Sequence, residues 1–152
     1  MSQSAEADPP AAAYARAASA ASIAAVRRTF ALWNEERVDD FARRFAYDAE
    51  VDLSAVIAGV APIRGRDRLS HFWAALRSNW SGRDLEIADI LDLGDGRFIA
   101  DCRLVARHAT PADGASERLI CLFRVDDDLQ IARVQLAPDI ATAARLGDGA
   151  RG

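Results

Sequence analysis

Two histidines, two cysteines and a few carboxylate clusters are the residues of this 152-residue chain that could carry chemistry. His108 closes a long strand-like run, and an imidazole there can act as general acid or base near neutral pH. A histidine at a strand end can equally bond a loop carbonyl and do no chemistry. Cys121 with His108 suggests a thiolate nucleophile. If His108 pairs with Glu117 across a hairpin, Cys121 falls opposite Leu104, roughly 13 Å from the imidazole. A nucleophile and its base need hydrogen-bond reach, so Cys121 is expected to be a small core residue. The same offset argues against a Cys102–Cys121 disulfide. Asp126-Asp127-Asp128 invites a metal, but adjacent carboxylates point in different directions, and the run suits a hairpin turn. Trp33, Trp73 and Trp80 could line a ligand site by stacking. The Ser-Asn-Trp-Ser-Gly setting of Trp80 suits an exposed lid or partner contact.

Composition removes several classes of function. All nineteen basic residues are arginine. Without lysine there is no Schiff base, pyridoxal-phosphate lysine or phosphate-loop lysine. The net charge of −4 lacks the basic footprint of a nucleic-acid binder. Two cysteines make neither a disulfide framework nor a zinc site, so no metal and no cofactor are expected. The acidic first residues do not read as a signal peptide. No run of 18 apolar residues is present, so no membrane span is expected. The expectation is a cytoplasmic protein with free thiols.

The elements that must position these residues follow from the pattern. Residues 1–13, with Pro9-Pro10, read as a disordered tail. Residues 14–146 form one domain, and residues 147–152 a flexible end. From Tyr14 the chain reads as helix, with Val26, Thr29, Phe30 and Trp33 on one buried face. A short helix follows, capped by Asp39 or Asp40, with Phe41 and Phe45 as its apolar edge. Ala49 to Leu53 alternates like a strand. A third helix covers Arg66 to Ser78, with Leu69, Phe72, Trp73 and Leu76 inward and His71 near the surface. Then come strands Leu85–Leu93, Phe98–His108, Leu119–Val125 and Ile131–Leu136, bounded by Gly and Asp clusters. Pro138-Asp139 can open a short helix before Gly147. Helices first and antiparallel strands second give an α+β domain.

Four features coincide in order and spacing. Trp33 precedes Asn34-Glu35-Glu36-Arg37-Val38-Asp39-Asp40. Phe45-Ala46-Tyr47-Asp48-Ala49-Glu50-Val51-Asp52 follows. Arg64-Gly65-Arg66-Asp67-Arg68-Leu69-Ser70-His71-Phe72-Trp73 comes next, and a long hairpin with an acidic final turn ends the chain. Residues 20–138 thereby resemble the SnoaL-like branch of the nuclear-transport-factor-2-like superfamily. The resemblance implies a cone: a strongly curved antiparallel sheet wrapped around about three N-terminal helices, with a pocket at the open end. It implies that Ala100, Cys102, Leu104, Ala106 and His108 face inward, as do Leu119, Cys121, Phe123 and Val125. Ile99, Asp101, Arg103, Val105 and Arg107 then face out.

The resemblance also shows what is missing. Where ketosteroid isomerases keep a carboxylate base, a tyrosine and a protonated aspartate, this chain has Leu53, Thr29 and Cys121. A one-residue slip would exchange Leu53 for Asp52. The positions at which limonene epoxide hydrolase holds a water match Val51, Leu53 and Leu136. The implied ligand pocket is lined by Thr29, Trp33, Leu53, Trp73, Cys102, Cys121 and Val134, with Tyr47 as a further polar handle and His108 as the candidate catalytic residue. Three functions are compatible with it. One is a cofactor-independent cyclase, isomerase or dehydratase acting by proton transfer on a hydrophobic substrate. The second is a non-catalytic protein for a hydrophobic small molecule. The third is a dimerisation module. Ile99, Val105, Ile120 and Leu122, flanked by Arg118, Arg124 and Arg133, suit a homodimer interface on the convex sheet face. No nucleic-acid or membrane partner is expected.

Overall fold

Alanine, the strongest helix former, carries the first element further back than the Pro9-Pro10 pair suggests. The structure, a computed structural model, describes residues 3–107 and 116–149. Helix α1 spans Gln3–Asn34 and includes residues 3–13 of the expected tail. Its buried face holds Val26, Phe30, Leu32 and Trp33, while Arg27 and Arg28 point to solvent. Helix α2 (Val38–Ala42) starts from Arg37, which makes no side-chain cap, and Asp39 and Asp40 sit in its first turn rather than capping it. Strand β1 (Phe45–Asp52) and the two-residue β2 (Ile63–Arg64) precede helix α3 (Arg66–Asn79).

Strands β3 (Arg83–Gly94), β4 (Arg97–Ala106), β5 (Ser116–Val125) and β6 (Ile131–Ala137) form an antiparallel meander. Strand β1 joins β6 in parallel, giving the sheet order β2-β1-β6-β5-β4-β3. Extra residues interrupt the β3–β4 ladder at Ala88 and Leu93 and the β5–β6 ladder at Ala132. Each bulge bends its strand and increases local twist, and the sheet curves around α1, α2 and α3. No helix of the described residues is long and apolar enough to cross a membrane.

The sheet has an apolar layer on each side. The concave layer packs Val26, Phe30, Trp33, Phe41, Leu69 and Trp73 against Phe98, Ala100, Cys102, Cys121 and Phe123. The convex layer joins Ile99, Ile120, Leu122 and Ala137 to Ala143 of helix α4 (Ile140–Gly149). Asp139 caps α4, its Oδ1 accepting from Thr142 N–H at 2.7 Å. Arg97, almost fully buried, donates to the carbonyls of Gly147, Leu93 and Gly94. The helix therefore continues past Gly147 and lies on the face expected to form a homodimer. Three of the residues assigned to that interface, Ile99, Ile120 and Leu122, are covered by the chain's own C-terminal helix.

The β4–β5 register also differs from expectation. Leu104 pairs with Glu117 and Ala100 with Cys121, four residues from the assumed pairing. Arg107 follows the last residue of β4. Its backbone N–H donates to Gly82 O, and its guanidinium reaches Asn34 O at 2.6 Å and Asp84 Oδ1 at 2.7 Å. Strand β4 is anchored to α1 there and ends at Ala106.

Candidate functional site

A cavity of about 250 Å³ lies between α1, α3 and the concave face of the sheet. Helix α1 contributes Thr29, Phe30 and Trp33, and α3 contributes Phe72, Trp73 and Leu76. The strands contribute Val51, Leu85, Leu119, Cys121, Phe123, Val134 and Leu136. Leu53 and Ile57 come from the segment after β1, where Ile57 is 49% exposed and the cavity meets solvent. Strand alternation explains the selection: Val51 and Leu53 face in, while Glu50 and Asp52 face out. Asp52 accepts from Ser54 N–H at 2.9 Å and lies 3.9 Å from Arg133 on the convex side. Those bonds from Ser54 hold its carboxyl below the usual aspartate range. The carboxylate closest in sequence to the expected base position is therefore outside the cavity.

No polar atom is exposed on the cavity wall. Apart from the tryptophans, two lining residues carry polar groups, Thr29 and Cys121. Thr29 Oγ1 donates to Ala25 O at 2.7 Å, closing back on its own helix. The neighbouring Cys121 thiol, together with burial, raises the Cys102 thiol well above the ordinary cysteine range. Neither cysteine forms a disulfide. Among the described residues no Asp, Glu or His lines the cavity, and no group of His, Cys, Asp and Glu could hold a metal ion.

All three tryptophans of the chain line this cavity. Trp33 meets Trp73 and Trp80 edge to face, each at 6.1 Å between ring centroids, and Phe41 at 4.9 Å. Such pairs contribute about 0.5–1.5 kcal/mol each beyond area burial. The Trp33 and Trp73 indole N–H groups are buried without a hydrogen-bond partner. Behind Trp33, the buried Arg77 guanidinium lies 5.3 Å from the ring and reaches Glu36 Oε1 at 3.3 Å. Arg77 follows Leu69 and Trp73 at four-residue spacing, so helical periodicity places it on the inward stripe of α3.

The cavity brings together Thr29, Trp33, Leu53, Trp73, Cys121 and Val134. Cys102 is buried behind the wall and does not line it. His108 lies outside the described residues. Tyr47 is 78% exposed, with Arg66 stacked 5.9 Å from its ring, so it offers the cavity nothing. Trp80 is no exposed loop residue: its N–H donates to Leu76 O at the end of α3, and its ring joins the wall. Asp101 pairs across strands with Arg118, through two 2.9 Å contacts, on the convex face. Asp126 Oδ1 accepts from the N–H groups of Asp128 and Gln130 and closes the hairpin turn.

Residues 26–134 match the family described as SnoaL-like domain. No curated protein matches the chain. Solved structures do, at identities that speak for the fold alone. An uncharacterised cystatin-fold protein from Novosphingobium aromaticivorans shares 18% identity with a TM-score of 0.60, covering 76% of this chain and 96% of that one. An NTF2-like protein of unknown function from Mesorhizobium loti shares 20% identity at 0.60, covering 77% and 89%. SalBIII, an epoxide hydrolase/cyclase-like enzyme in pyran ring formation in the polyether salinomycin, shares 13% at 0.63, covering 79% and 92%.

Proposed function

The chain belongs to the SnoaL-like domain family, and we propose that it uses the cavity to bind a small apolar molecule. What supports this reading is the wall, whose exposed atoms are all apolar. A dry cavity of about 150 Å³ takes up benzene, so 250 Å³ accommodates a hydrocarbon-like body of about ten carbons. Ligands richer in hydroxyls would lose water without gaining a partner. The positions at which the family's enzymes keep acids and water-holding groups are Val51, Leu53, Thr29, Cys121 and Leu136, and every one lines the cavity without an available polar group. The protein therefore selects on shape and apolarity.

A second reading is proton transfer by His108 on such a ligand. It draws on the fold shared with SalBIII, whose printed role is ring formation. Thermal shift with a panel of terpene-like hydrocarbons and their hydroxylated analogues tests the first reading. The hydrocarbons raise the midpoint, and Leu136→Trp, which fills the cavity, abolishes the rise. A preference for the hydroxylated analogues overturns it. Ligand turnover lost in His108→Ala with binding retained would establish the second reading.

A further inference from the structure

Cys102 and Cys121 face the same side of the sheet from adjacent strands. Cys102 stands opposite Leu119 and Cys121 opposite Ala100, so the two are diagonal neighbours two residues apart in the ladder. Both side chains are buried as free thiols, and the Cys121 thiol is the first of the causes that raise the Cys102 thiol. Cys121 forms part of the cavity wall, and Cys102 lies directly behind it. Apolar binding makes no use of this pair, since alanine or valine would line the cavity equally well.

We propose that the Cys102–Cys121 dithiol is a binding site for a soft centre that accepts two sulfurs and carries an apolar group, of which a trivalent aryl arsenoxide is the simplest case. Thiolate sulfur suits soft centres. The two free sulfurs, on diagonal positions of adjacent strands, stand farther apart than the roughly 2.05 Å of a disulfide, and a bridging atom spans that gap without drawing β4 and β5 together. The condensation balances. Two arsenic–sulfur bonds form, the arsenic–oxygen double bond breaks, and the oxygen leaves as water with both thiol protons. Arsenic stays trivalent, and nothing is oxidised or reduced. The aryl group would rest against Leu119, Phe123 and the tryptophans. Burial keeps Cys102 protonated, so reagents that need a free thiolate react poorly there.

The proposal rests on the cavity admitting an apolar body, and the test separates the two. The whole protein is treated with phenylarsine oxide and weighed intact, and in parallel it is titrated with bromobenzene, which has the ring but no thiophilic centre. The expected result is one adduct, heavier by the arylarsenic group less two hydrogens. Both thiols disappear from a count made after unfolding, and a dithiol strips the adduct while a monothiol does not. Cys102→Ala, at a residue that does not line the cavity, binds bromobenzene but holds the arsenical about 100-fold more weakly, and Cys121→Ala weakens the arsenical alike, because chelation is lost. Bromobenzene binding without an adduct, or an adduct equally stable in either variant, overturns the dithiol site and leaves the cavity reading standing. If neither compound binds, both are overturned.

Discussion

The side-chain amide of Asn34 pairs with the backbone of Leu85 as a neighbouring strand would. Asn34 Nδ2 donates to Leu85 O and Leu85 N–H donates to Asn34 Oδ1, both at 2.8 Å. Strand β3 is the sheet edge, so these groups have no strand partner on that side. The last residue of α1 thereby fixes Leu85, a cavity-lining residue. Replacing Asn34 with leucine leaves a half-buried N–H and C=O unpaired, which costs about 1–3 kcal/mol. Chemical denaturation measures the loss, and faster amide exchange at Leu85 identifies its source. Asn34→Leu with unchanged exchange there contradicts the pairing.

The convex face is a site of intramolecular packing. Ile120 is 1% exposed beneath α4. Ile120→Asp buries a carboxylate against Ile99 and Ala143 and destabilises the fold strongly. Light scattering shows no change in particle mass for the variant under conditions where it remains folded. A halved mass with stability retained would return Ile120 to an interface between copies.

Acid sensitivity has a defined sign. Asp101 is held below the usual aspartate range, first by its hydrogen bond to Arg118, and Asp52 by its bonds from Ser54. A depressed carboxyl contributes stability that is present above its unfolded value, about 3.9. That contribution is lost as the pH falls through the lower folded value. Arg118→Gln removes the larger cause at Asp101. Its carboxyl then titrates at higher pH by carbon-detected NMR, while Asp52 keeps its value. The effect on stability is small, because the pair is partly solvated.

Arg97 is the counterpart of Asp139 at the other end of α4. Its guanidinium satisfies three carbonyls, with Gly147 O at 2.6 Å. Arg97→Met keeps the apolar stem and leaves those carbonyls unpaired, costing about 1–3 kcal/mol. Hydrogen exchange across residues 140–149 rises, whereas exchange in α1 does not. Uniform acceleration across both would contradict a local role.

Much of the architecture was legible because alternation and helical periodicity are local signals. The strands and α3 follow from residue type at fixed spacing, whereas the inward parity of Val51, Leu53, Cys121 and Val134 was implied by the family resemblance. Long-range pairing is a different matter. The β4–β5 register pairs residues far apart in sequence, such as Ala100 with Cys121, and no local pattern encodes that. Arg77 and Arg97 are buried charges whose partners, Glu36, Trp33 and backbone carbonyls, are brought together only by folding. Trp80 sits among polar residues in sequence yet turns inward to Trp33. The apolar outward residues of β4 and β5 were legible as a second packing surface. That α4 supplies the cover was not, because a ten-residue helix and a partner chain demand the same pattern.

Trp33, Trp73 and Trp80 make one measurement decisive. They are the only tryptophans, and all line the cavity, so emission excited selectively at tryptophan reports on the cavity wall. Titration with a brominated hydrocarbon such as bromocyclohexane should quench the emission saturably, with one site per chain, and Leu136→Trp should remove the saturable phase. Quenching that rises linearly without saturation, as for tryptophan free in solution, would contradict a binding cavity.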